Sequence, residues 1–546
     1  MKQFSKILIF LLLSSFALVS CNDLLDVNSD RIVTEDEYQM NAANDSLYAM
    51  FGIFNKLEKL ADSYVLLGEL RGDLMDVTDK SDVYLNEINN FNFSSENPYT
   101  NNIKDYYAVI NNCNYVIKTV DTTKVKGGKL VMKRVYAAAK AIRAWTYMQV
   151  ALNFKTATYY EQPILNLTDA ENIEKNAPKL TIEELAPILI NDIKPYKDVE
   201  NPNLGSLYSY DTSTSFFPIR FVLGDLYLWS GQYENAANEY HDLMYKGSNL
   251  LLGYDVDRKV TNYAFTGSID YSWNYMFTAY SSEALTNIVA SNEYGQIFHL
   301  DSLNRNNMLA ASDVARKNWD SQMYFYNDTV YKMGDFRRQL SYGSSLYASV
   351  SESFKDSAIL KYINMNPKTT NIKTSRQVRI YRNSLLYLRY AEAVNRLGKP
   401  NLAMAVLKNG LKKATLDNRK IIPAKEIGTS LPNYMNFNDT RFTNNFGLRA
   451  RVLGNLQNDT LYYIIPKGAV LSKLGTDSVK YVEDLIVNEL ALETAFEGNR
   501  FHDLMRVAIR RNDNAYLANK ISAKYKSNSD AIKTKLMDRS NWYLRK

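Results

Sequence analysis

Residues 217–245 have the pattern of two helices that pack against each other, and this pattern constrains the fold more than any other feature of the chain. Gly224 and Ala236 stand where small side chains let two helices approach, and Tyr227 and Tyr240 stand where large side chains fill the space between them. Such a pair must bury its remaining apolar face against neighbouring helices. A chain that contains it is therefore expected to be mainly α-helical.

Residues 383–411 repeat this spacing in a weaker form. Ala391 and Ala403 occupy the small positions, Gly398 occupies the turn and Leu407 occupies the large position. The spacing in both segments is that of the tetratricopeptide repeat. Because only two copies are found, the sequence predicts a few helix pairs within a larger domain rather than a long solenoid.

Other segments also show apolar residues at helical spacing, most clearly residues 35–60, 101–120 and 131–153. Between the two helix pairs, residues 250–380 lose this spacing and are rich in Tyr, Asn, Ser and Gly. Long irregular segments on a rigid scaffold are where binding residues usually lie. We therefore expect a mainly α fold with tetratricopeptide-like helix pairs and long irregular binding loops.

The same patterns predict one large domain over residues 35–546. Its helix-pair scaffold is expected mainly at 35–250 and 381–546, and its binding elaboration at about 250–380. The chain has 546 residues, of which 46% are apolar, so it can bury a large core. This composition excludes disorder of the whole chain.

The first 20 residues have the form of an export signal, with Lys2 and Lys6 before an apolar run. The run is too short to span a membrane, and it ends in Leu18-Val19-Ser20-Cys21, which is similar to the bacterial lipobox. We therefore expect Cys21 to be lipidated and residues 21–34 to form a spacer behind the lipid. The alternative is an ordinary signal peptide followed by a cysteine, but the small residue directly before Cys21 favours the lipoprotein.

The composition also excludes several classes of protein. A net charge of +6 is too weak for a nucleic-acid-binding protein, and two cysteines cannot form a disulfide scaffold or a zinc ribbon. The three histidines, His241, His299 and His502, have no metal-binding spacing, and the chain contains no nucleophile elbow, phosphate-binding loop or calcium loop. The sequence therefore predicts no catalytic residues, no metal and no cofactor.

Six charged residues near the C-terminus are spaced by three or four positions, so they would share one stripe of a helix. They are Glu489, Glu493, Glu497, Arg500, Asp503 and Arg506. A pair of carboxylates in such a stripe could serve acid–base catalysis, but a structural ion-pair network is the preferred interpretation. Gly498 lies within the run and predicts a break or a close approach of another segment.

The stripe overlaps the segment Glu497-Gly498-Asn499-Arg500-Phe501-His502-Asp503-Leu504-Met505-Arg506, and Asn541-Trp542-Tyr543-Leu544 follows near the terminus. Together with the lipobox, these segments resemble the SusD/RagB family of surface nutrient-binding lipoproteins of Bacteroidetes. The family signature is similar to E-G-x-R-x-x-D-L-x-R. The chain keeps this signature at Glu497, Gly498, Arg500, Asp503, Leu504 and Arg506.

Further segments support the resemblance. Tyr107-x-x-Ile110-x-x-Cys113-Asn114 is similar to a Y-x-x-I-x-x-x-N helix of the family, and Arg143-Ala144-x-x-Tyr147 is similar to its R-A helix. Gly334-Asp335-Phe336-Arg337 and Leu388-x-Tyr390-Ala391-Glu392-Ala393 resemble two later elements. One departure is Ile103, where the family usually has an aromatic residue, so the ligand residues of starch-binding members are not transferred.

The resemblance implies a SusD-like fold and a non-enzymatic protein that binds a nutrient, usually a glycan and in some members a peptide. It implies an acyl anchor in the outer membrane, a position on the cell exterior and a SusC-type TonB-dependent transporter as partner. Two alternatives stay open. One is a surface-tethered glycan hydrolase, whose paired carboxylates a sequence can neither show nor exclude. The other is a helix-pair adaptor that binds protein or peptide.

Two polar, non-periodic stretches offer the aromatic faces and polar groups that a sugar or peptide site needs. Tyr99, Trp273 and Trp319 are weighted most because their neighbours in the chain are polar, although each could also pack in the core. In full, the predicted ligand residues are Arg71, Asp73, Asp76, Asn97 and Tyr99 in the first stretch, and Trp273, Tyr275 and Tyr294, with Trp319 further along, in the second.

Overall fold

The computed structural model describes most of the chain from residue 45 to residue 544. The predicted export signal, Cys21 and the spacer at 21–34 lie outside the described residues, and so do Trp273, Tyr275 and Tyr294. The described residues are 45–125, 128, 130–207, 210–252, 256–261, 264–269, 283–290, 298–326, 329–331, 334–345, 353–362, 376–453 and 462–544.

Within these residues the chain is mainly helical. The α-helices, numbered in chain order, are α1 (Asp45–Glu58), α2 (Ala61–Glu69), α3 (Val83–Asn89), α4 (Ile103–Thr119), α5 (Val131–Phe154), α6 (Leu167–Asn176), α7 (Ile182–Ile193), α8 (Ile219–Trp229), α9 (Tyr233–Gly247), α10 (His299–Arg305), α11 (Asp313–Asp320), α12 (Arg337–Ser341), α13 (Asn383–Arg396), α14 (Pro400–Lys408), α15 (Lys413–Asp417), α16 (Ala424–Ile427), α17 (Ala450–Leu453), α18 (Gly468–Lys473), α19 (Ser478–Glu493), α20 (Arg500–Arg511), α21 (Asn514–Ser522) and α22 (Ser529–Leu536).

The described strands are short and form antiparallel two-stranded sheets. In one of these sheets, Ile288 lies opposite Val378 and both side chains are buried. The pairs are β1 (Met75–Val77) with β9 (Leu309–Ala311), β2 (Ala157–Thr158) with β3 (Lys179–Leu180), β4 (Ser206–Leu207) with β5 (Tyr210–Asp211), β6 (Val256–Thr261) with β7 (Ala264–Ile269), β8 (Ala284–Ala290) with β14 (Arg376–Arg382), β10 (Tyr324–Tyr326) with β11 (Thr329–Tyr331), and β12 (Tyr342–Ser345) with β13 (Ser353–Ile359).

Helices α8 and α9 are the first predicted helix pair. A Cβ atom placed on Gly224 would lie 2.3 Å from Cε1 of Tyr240, so only glycine lets this ring pack against α8. The Tyr240 hydroxyl donates to Asp225 Oδ1 at 2.7 Å, which satisfies its polar end in the core. Gly231 has a φ of +76° in the connection between the two helices, a conformation that favours glycine.

Helices α13 and α14 are the second predicted pair. Ala391, Ala403 and Leu407 have no exposed surface, and Gly398 turns the chain with a φ of +75°. Helix α13 also packs against α9, so the two pairs are neighbours in space. The prediction of a mainly α fold with tetratricopeptide-like helix pairs is confirmed.

Helix α5 is buried on all sides rather than on one face. Every residue from 137 to 154 is buried, because α1, α4, α7 and α8 pack around it. The polar residues on this helix need partners in the interior. Arg143 donates to Asn114 Oδ1 and to Asp192 Oδ2, each at 2.7 Å.

Residues 250–380 are more regular than the sequence predicts. Their described part contains α10 to α12 and most of the longer strands, because short strands and short helices produce no extended helical period. This region is tied to the scaffold where β14 leads into α13, and there the Asn383 N–H donates to the Glu283 carbonyl at 3.1 Å. Among the described helices, none has both the length and the apolar content needed to cross a bilayer.

Candidate functional site

The charged stripe near the C-terminus spans two helices rather than one. Helix α19 ends at Glu493 and α20 begins at Arg500, and the turn between them includes Phe496 (φ +70°) and Gly498 (φ +88°). A Cβ atom on Gly68 of α2 would lie only 1.9 Å from the Gly498 carbonyl oxygen. Gly498 is therefore both a break in the helix and a point of close backbone approach.

Buried arginines from the strand-rich region neutralise the glutamates of α19. Nη1 of Arg337 lies 2.7 Å from Glu489 Oε1 and 2.7 Å from Glu493 Oε2. Arg382 lies 2.9 Å from Glu493 Oε1 and 2.8 Å from Glu497 Oε2. These ion pairs join α12 and β14 to the C-terminal helices.

Glu497 accepts hydrogen bonds from two cationic side chains. Nζ of Lys361 lies 2.6 Å from its Oε1, and both oxygens also accept bonds from Arg382. Burial alone would raise the pKa of Glu497, but the charges of Arg382 and Lys361 outweigh burial and hold it below its usual value. Glu497 is therefore a structural anion and not a proton donor poised for catalysis.

The charged residues of α20 are matched in the same way. Arg500 contacts both carboxylate oxygens of Asp73, with distances of 2.5 Å and 2.8 Å. Arg506 contacts both oxygens of Glu392, at 2.8 Å and 2.6 Å, and Asp503 Oδ1 at 2.9 Å. Every member of the stripe is thus buried against an opposite charge, which is the arrangement of a structural ion-pair network.

A carboxylate from α2 holds the turn between α19 and α20. Glu69 accepts backbone N–H groups from Phe496 at 3.0 Å, Gly498 at 2.8 Å and Asn499 at 3.2 Å. Burial raises the pKa of Glu69 to about 7, although the N–H donors act in the opposite direction. The turn between α19 and α20 therefore packs directly against α2.

Arg71 and Asp73, predicted as ligand residues, lie in the interior. The Arg71 guanidinium is fully buried, donates to the Trp542 carbonyl at 3.1 Å and lies 4.2 Å from the centre of the Phe501 ring. Asp73 is buried against Arg500. The placement of both side chains at a ligand-binding surface is wrong, because interior partners already occupy their polar groups.

Trp319 is also an interior side chain. It is 1% exposed, and its indole N–H donates to the Leu492 carbonyl at 3.2 Å. Its ring packs beside Phe496, with 5.9 Å between the ring centres. The polar stretch that contains Trp319 is helix α11, whose buried residues are Ala315 and Trp319, four positions apart. This helical spacing is the sequence signal that places Trp319 in the core.

Asn97 is buried and positions its neighbours rather than a ligand. Its side-chain amide donates to the Tyr84 carbonyl and to Glu87 Oε2, each at 2.9 Å. Its Oδ1 accepts the backbone N–H of Tyr99 at 3.0 Å. Asn97 therefore fixes the turn that presents Tyr99, and its predicted role as a direct ligand contact is corrected to a supporting one.

Asp76 and Tyr99 are the predicted residues that keep exposed surface in the described part of the chain. Asp76 is half-buried and accepts the Val77 N–H at 2.9 Å and the Asn89 amide at 3.2 Å. Tyr99 is half-buried, and burial raises the pKa of its phenol to about 12, with the charges of Asp62 and Asp82 adding to the effect. Tyr99 is therefore a neutral phenol at ordinary pH.

We call the face formed by residues 76–104 and 298–308, together with Asp62, the Tyr99 surface. Its two segments are joined by the Thr78 hydroxyl, which donates to the Asn307 carbonyl at 2.6 Å, and the pairing of β1 with β9 begins directly beside them. Asp62 accepts the N–H of His299 at 2.9 Å, which ties α2 to the second segment. Asp62 and His299 were not among the predicted residues, because they are 237 positions apart and no local signal in the sequence links them.

The three histidines have different surroundings. Nε2 of His241 lies 2.8 Å from the Asn436 carbonyl oxygen, His299 is exposed and His502 is buried beside Arg71. Within the residues that the structure describes, no group of three or more His, Cys, Asp or Glu side chains could hold a metal ion.

Residues 292–544 match the model of the SusD family. The chain is similar to a SusD superfamily protein from Bacteroides vulgatus, with 16% identity, a TM-score of 0.59 and coverage of 93% of this chain and 96% of that one. It is similar to surface glycan-binding protein A from Bacteroides uniformis (14% identity, TM-score 0.57, coverage 92% and 96%). A laminarin binding SusD-like protein also matches (15% identity, TM-score 0.53, coverage 92% and 96%). A search of curated proteins returned no significant match.

The helix pairs, the strand-rich region between them and the buried charged turn together define a SusD-like fold. Residues 292–544 carry the match to the SusD family, and the wider chain shares the fold of SusD superfamily proteins.

Proposed function

We propose that the chain is a surface lipoprotein that binds a nutrient glycan at the Tyr99 surface and passes it to a SusC-type TonB-dependent transporter. The observation that supports this most is the shared fold. More than nine-tenths of this chain aligns with more than nine-tenths of two solved proteins. One of them is named as a laminarin binding protein and the other as a surface glycan-binding protein.

The Tyr99 surface has chemistry that fits a sugar. A glycan site needs an aromatic face for the apolar patches of the sugar and a few polar groups that fix its orientation. Tyr99 offers a half-buried ring and a neutral hydroxyl, and Tyr84 and Asp76 are half-buried in the same face. Asn97 fixes the Tyr99 backbone before a ligand arrives, so less backbone entropy is lost there on binding.

The proposed location follows from the N-terminal sequence. Cys21 would be acylated, with palmitate as one of the chains, and would anchor the protein in the outer membrane on the cell exterior. The polar spacer at 21–34 would let the folded body reach a transporter in the same membrane. No cofactor is part of the proposal.

Binding is favoured over hydrolysis by the state of the carboxylates. In the described residues of the C-terminal stripe, Glu489, Glu493 and Glu497 are buried and paired with arginine or lysine, so none can protonate a glycosidic oxygen. An adaptor role is disfavoured because the facing surfaces of the helix pairs are buried against each other.

The experiment is a binding screen of residues 22–546 against immobilised glycans and oligopeptides, with analysis of the same mixtures for cleavage products. Saturable binding of an oligosaccharide without cleavage supports the proposal. Cleavage would support the hydrolase, and binding of peptides alone would support the peptide-binding alternative. Co-purification with a large β-barrel after membrane solubilisation tests the transporter partner.

A further inference from the structure

We propose that Lys524 is a positioning residue for the Tyr99 surface: it holds Asn89 at the end of α3, and Asn89 in turn holds Asp76. This inference rests on the proposed function, because it concerns the geometry of the same site. The contacts between the C-terminal residues and the buried side of this surface carry it.

Lys524 is a buried cation that joins three segments. It follows α21, is 3% exposed, and its Nζ donates to the Leu70 carbonyl at 2.5 Å, to the Met75 carbonyl at 3.1 Å and to Asn89 Oδ1 at 2.7 Å. These acceptors lie directly after α2, in β1 and at the end of α3. A buried ammonium is costly unless its three donors are bonded, and here each donor has an acceptor. Lys524 therefore fixes the three segments at one point.

Asn89 carries this constraint to the surface. A lysine ammonium can only donate, so it turns the oxygen of the Asn89 amide toward itself and leaves the amide nitrogen for other partners. That nitrogen donates to Asp76 Oδ1 at 3.2 Å, and the same oxygen accepts the Val77 N–H at 2.9 Å. Asp76 is half-buried in the Tyr99 surface. Lys524 thus orients a carboxylate that lies beyond Asn89.

Other C-terminal side chains hold the same end of α3. Phe91, the second residue after this helix, has a φ of +54°, a conformation that residues with a side chain rarely adopt. The Phe91 carbonyl accepts a bond from Lys535, and the Asn89 carbonyl accepts one from the Tyr525 hydroxyl. The end of α3 is therefore anchored to residues that come 436 and 444 positions later.

Helix α3 also supports the turn that presents Tyr99. The Asn97 amide donates to the Tyr84 carbonyl and to Glu87 Oε2, and Asn97 Oδ1 accepts the Tyr99 N–H. A displacement of α3 is therefore transmitted to Tyr99 through Asn97. Since a site that is ordered before its ligand arrives loses less affinity to ordering, loosening α3 and Asp76 should weaken binding.

The first test is a double-mutant cycle on residues 22–546. The probes are the immobilised glycans of the binding screen, laminarin among them, and the affinity is measured for each glycan that binds the wild type. Lys524→Met keeps the length of the side chain and removes its donors, and Asn89→Leu keeps the shape of the amide and removes its hydrogen bonds. Each variant should weaken binding roughly five- to tenfold per folded molecule. Because Lys524 acts through Asn89, the combined variant should bind about as weakly as the weaker single variant.

The matched control is Lys140→Met. Lys140 is also a buried lysine, but its partner is Asp192 of α7. Its loss should lower the thermal stability and leave the glycan affinity of the folded protein unchanged. This control separates the loss of a buried ion from the loss of a positioning contact.

The second test is the pH profile of glycan affinity, which distinguishes positioning from a purely structural role. Burial lowers the pKa of Lys524 to about 8, and the Tyr525 ring lies 5.2 Å from its Nζ. Three carboxylates face this lysine and act in the opposite direction, namely Asp76, Asp73 and Glu69. A neutral amine has two donors for three acceptors, so it holds Asn89 less firmly.

The affinity of the wild type should therefore fall as the pH rises from about 7.5 to about 9.5. Binding by Lys524→Met and by Asn89→Leu should be weaker and constant over this range. Glu69, whose pKa is about 7, is present in all three proteins, so its contribution cancels in the comparison. The wild-type and Asn89→Leu profiles give the answer even when Lys524→Met does not fold.

Two results would overturn this inference and leave the proposed function standing. One is glycan affinity that neither single variant changes, or losses that multiply in the combined variant. The other is a pH profile of the wild type that Asn89→Leu reproduces. Binding of no glycan at all in the screen overturns the proposed function and this inference with it.

Discussion

Arg500 and Asp73 form a buried two-point ion pair although 427 positions separate them in the chain. The guanidinium meets both carboxylate oxygens, at 2.5 Å and 2.8 Å. Burial opposes the charge on Asp73, but the charge and hydrogen bonds of Arg500 outweigh it and lower the pKa of Asp73. The pair connects the N-terminal helices to the family signature.

Arg500→Ala is therefore expected to lower the free energy of unfolding by about 3–5 kcal/mol, because it leaves a buried carboxylate without its partner. Denaturant unfolding of residues 22–546 measures this change. The control is Arg134→Ala, whose partner Glu200 is 74% exposed, so a loss below about 1 kcal/mol is expected. Glycan affinity per folded molecule should not change, and equal losses in the two variants would contradict the structural role.

Gly68→Ala is expected to destabilise the protein by about 1–3 kcal/mol, because its Cβ would collide with the Gly498 backbone. The matched control is Gly52→Ala in α1, where an added Cβ meets no atom within 4 Å. That control should be neutral or slightly stabilising, because alanine favours helix more than glycine does. Equal thermal stability of the two variants would show that α2 and the turn do not approach this closely.

His502 is expected to make the protein less stable as the pH falls below about 6.5. Burial, together with Arg71, holds the pKa of His502 well below its usual value, so the unfolded chain binds a proton that the folded chain rejects. Protonation of His502 in the unfolded chain then lowers the free energy of unfolding by about 2 kcal/mol between pH 6.5 and pH 5. Denaturant unfolding at each pH, compared between wild type and His502→Gln, isolates this slope.

Two comparisons control for the other titrating groups in that measurement. Glu69, whose pKa is raised to about 7, contributes a slope of the opposite sign and is present in both proteins, so it cancels in the difference. His299→Gln changes a side chain that is 61% exposed and should follow the wild-type profile. Parallel profiles for wild type and His502→Gln would mean that His502 accepts a proton in the folded state.

Tyr99→Ala is expected to weaken binding of the glycan found in the screen roughly 5–30-fold, because it removes the aromatic face of the proposed site. Titration calorimetry measures the affinity, and circular dichroism checks that the fold is kept. Tyr233→Ala removes another half-buried tyrosine, at the first residue of α9, and should leave the affinity unchanged. Unchanged affinity for Tyr99→Ala would place the glycan elsewhere.

Cys21→Ala is expected to abolish lipid labelling and release the protein from the outer membrane, because acylation requires the thiol of this residue. Metabolic labelling with a fatty acid and membrane fractionation measure both effects. Cys113→Ala is the matched control, since Cys113 is a free and buried thiol in the folded body. A Cys21→Ala protein that stays labelled and membrane-bound would refute the anchor.

The helix pairs were predictable because their signals are local. Gly224 and Tyr240 lie within 17 positions of each other, and spacing alone places them on facing helices. The sequence indicates that the residues of the C-terminal stripe form ion pairs, but it does not identify their partners. Arg337, Arg382 and Asp73 come from segments more than 100 positions away, and nothing in the local sequence identifies them.

The candidate site was less predictable for the same reason. Arg71 and Asn97 stand in polar stretches, and polar stretches are usually exposed, but both side chains find buried partners that the sequence cannot show. Tyr99 keeps exposed surface, and its role as a ligand residue stays a prediction. Its neighbours Asp62 and His299 meet through a contact across 237 positions, so the electrostatic character of the surface emerges only from the fold.

The hydrogen bond from Arg71 to the Trp542 carbonyl has a consequence for the order of folding. It spans 471 residues, so α2 cannot reach its final surroundings until nearly the whole chain has been synthesised. At ribosomal speeds of about 5–20 residues per second, that delay lasts roughly 25–95 s. During this time the N-terminal helices lack the contacts that the C-terminal residues supply in the folded protein. Late closure would suit the proposed export, because a chain is threaded across a membrane before it folds.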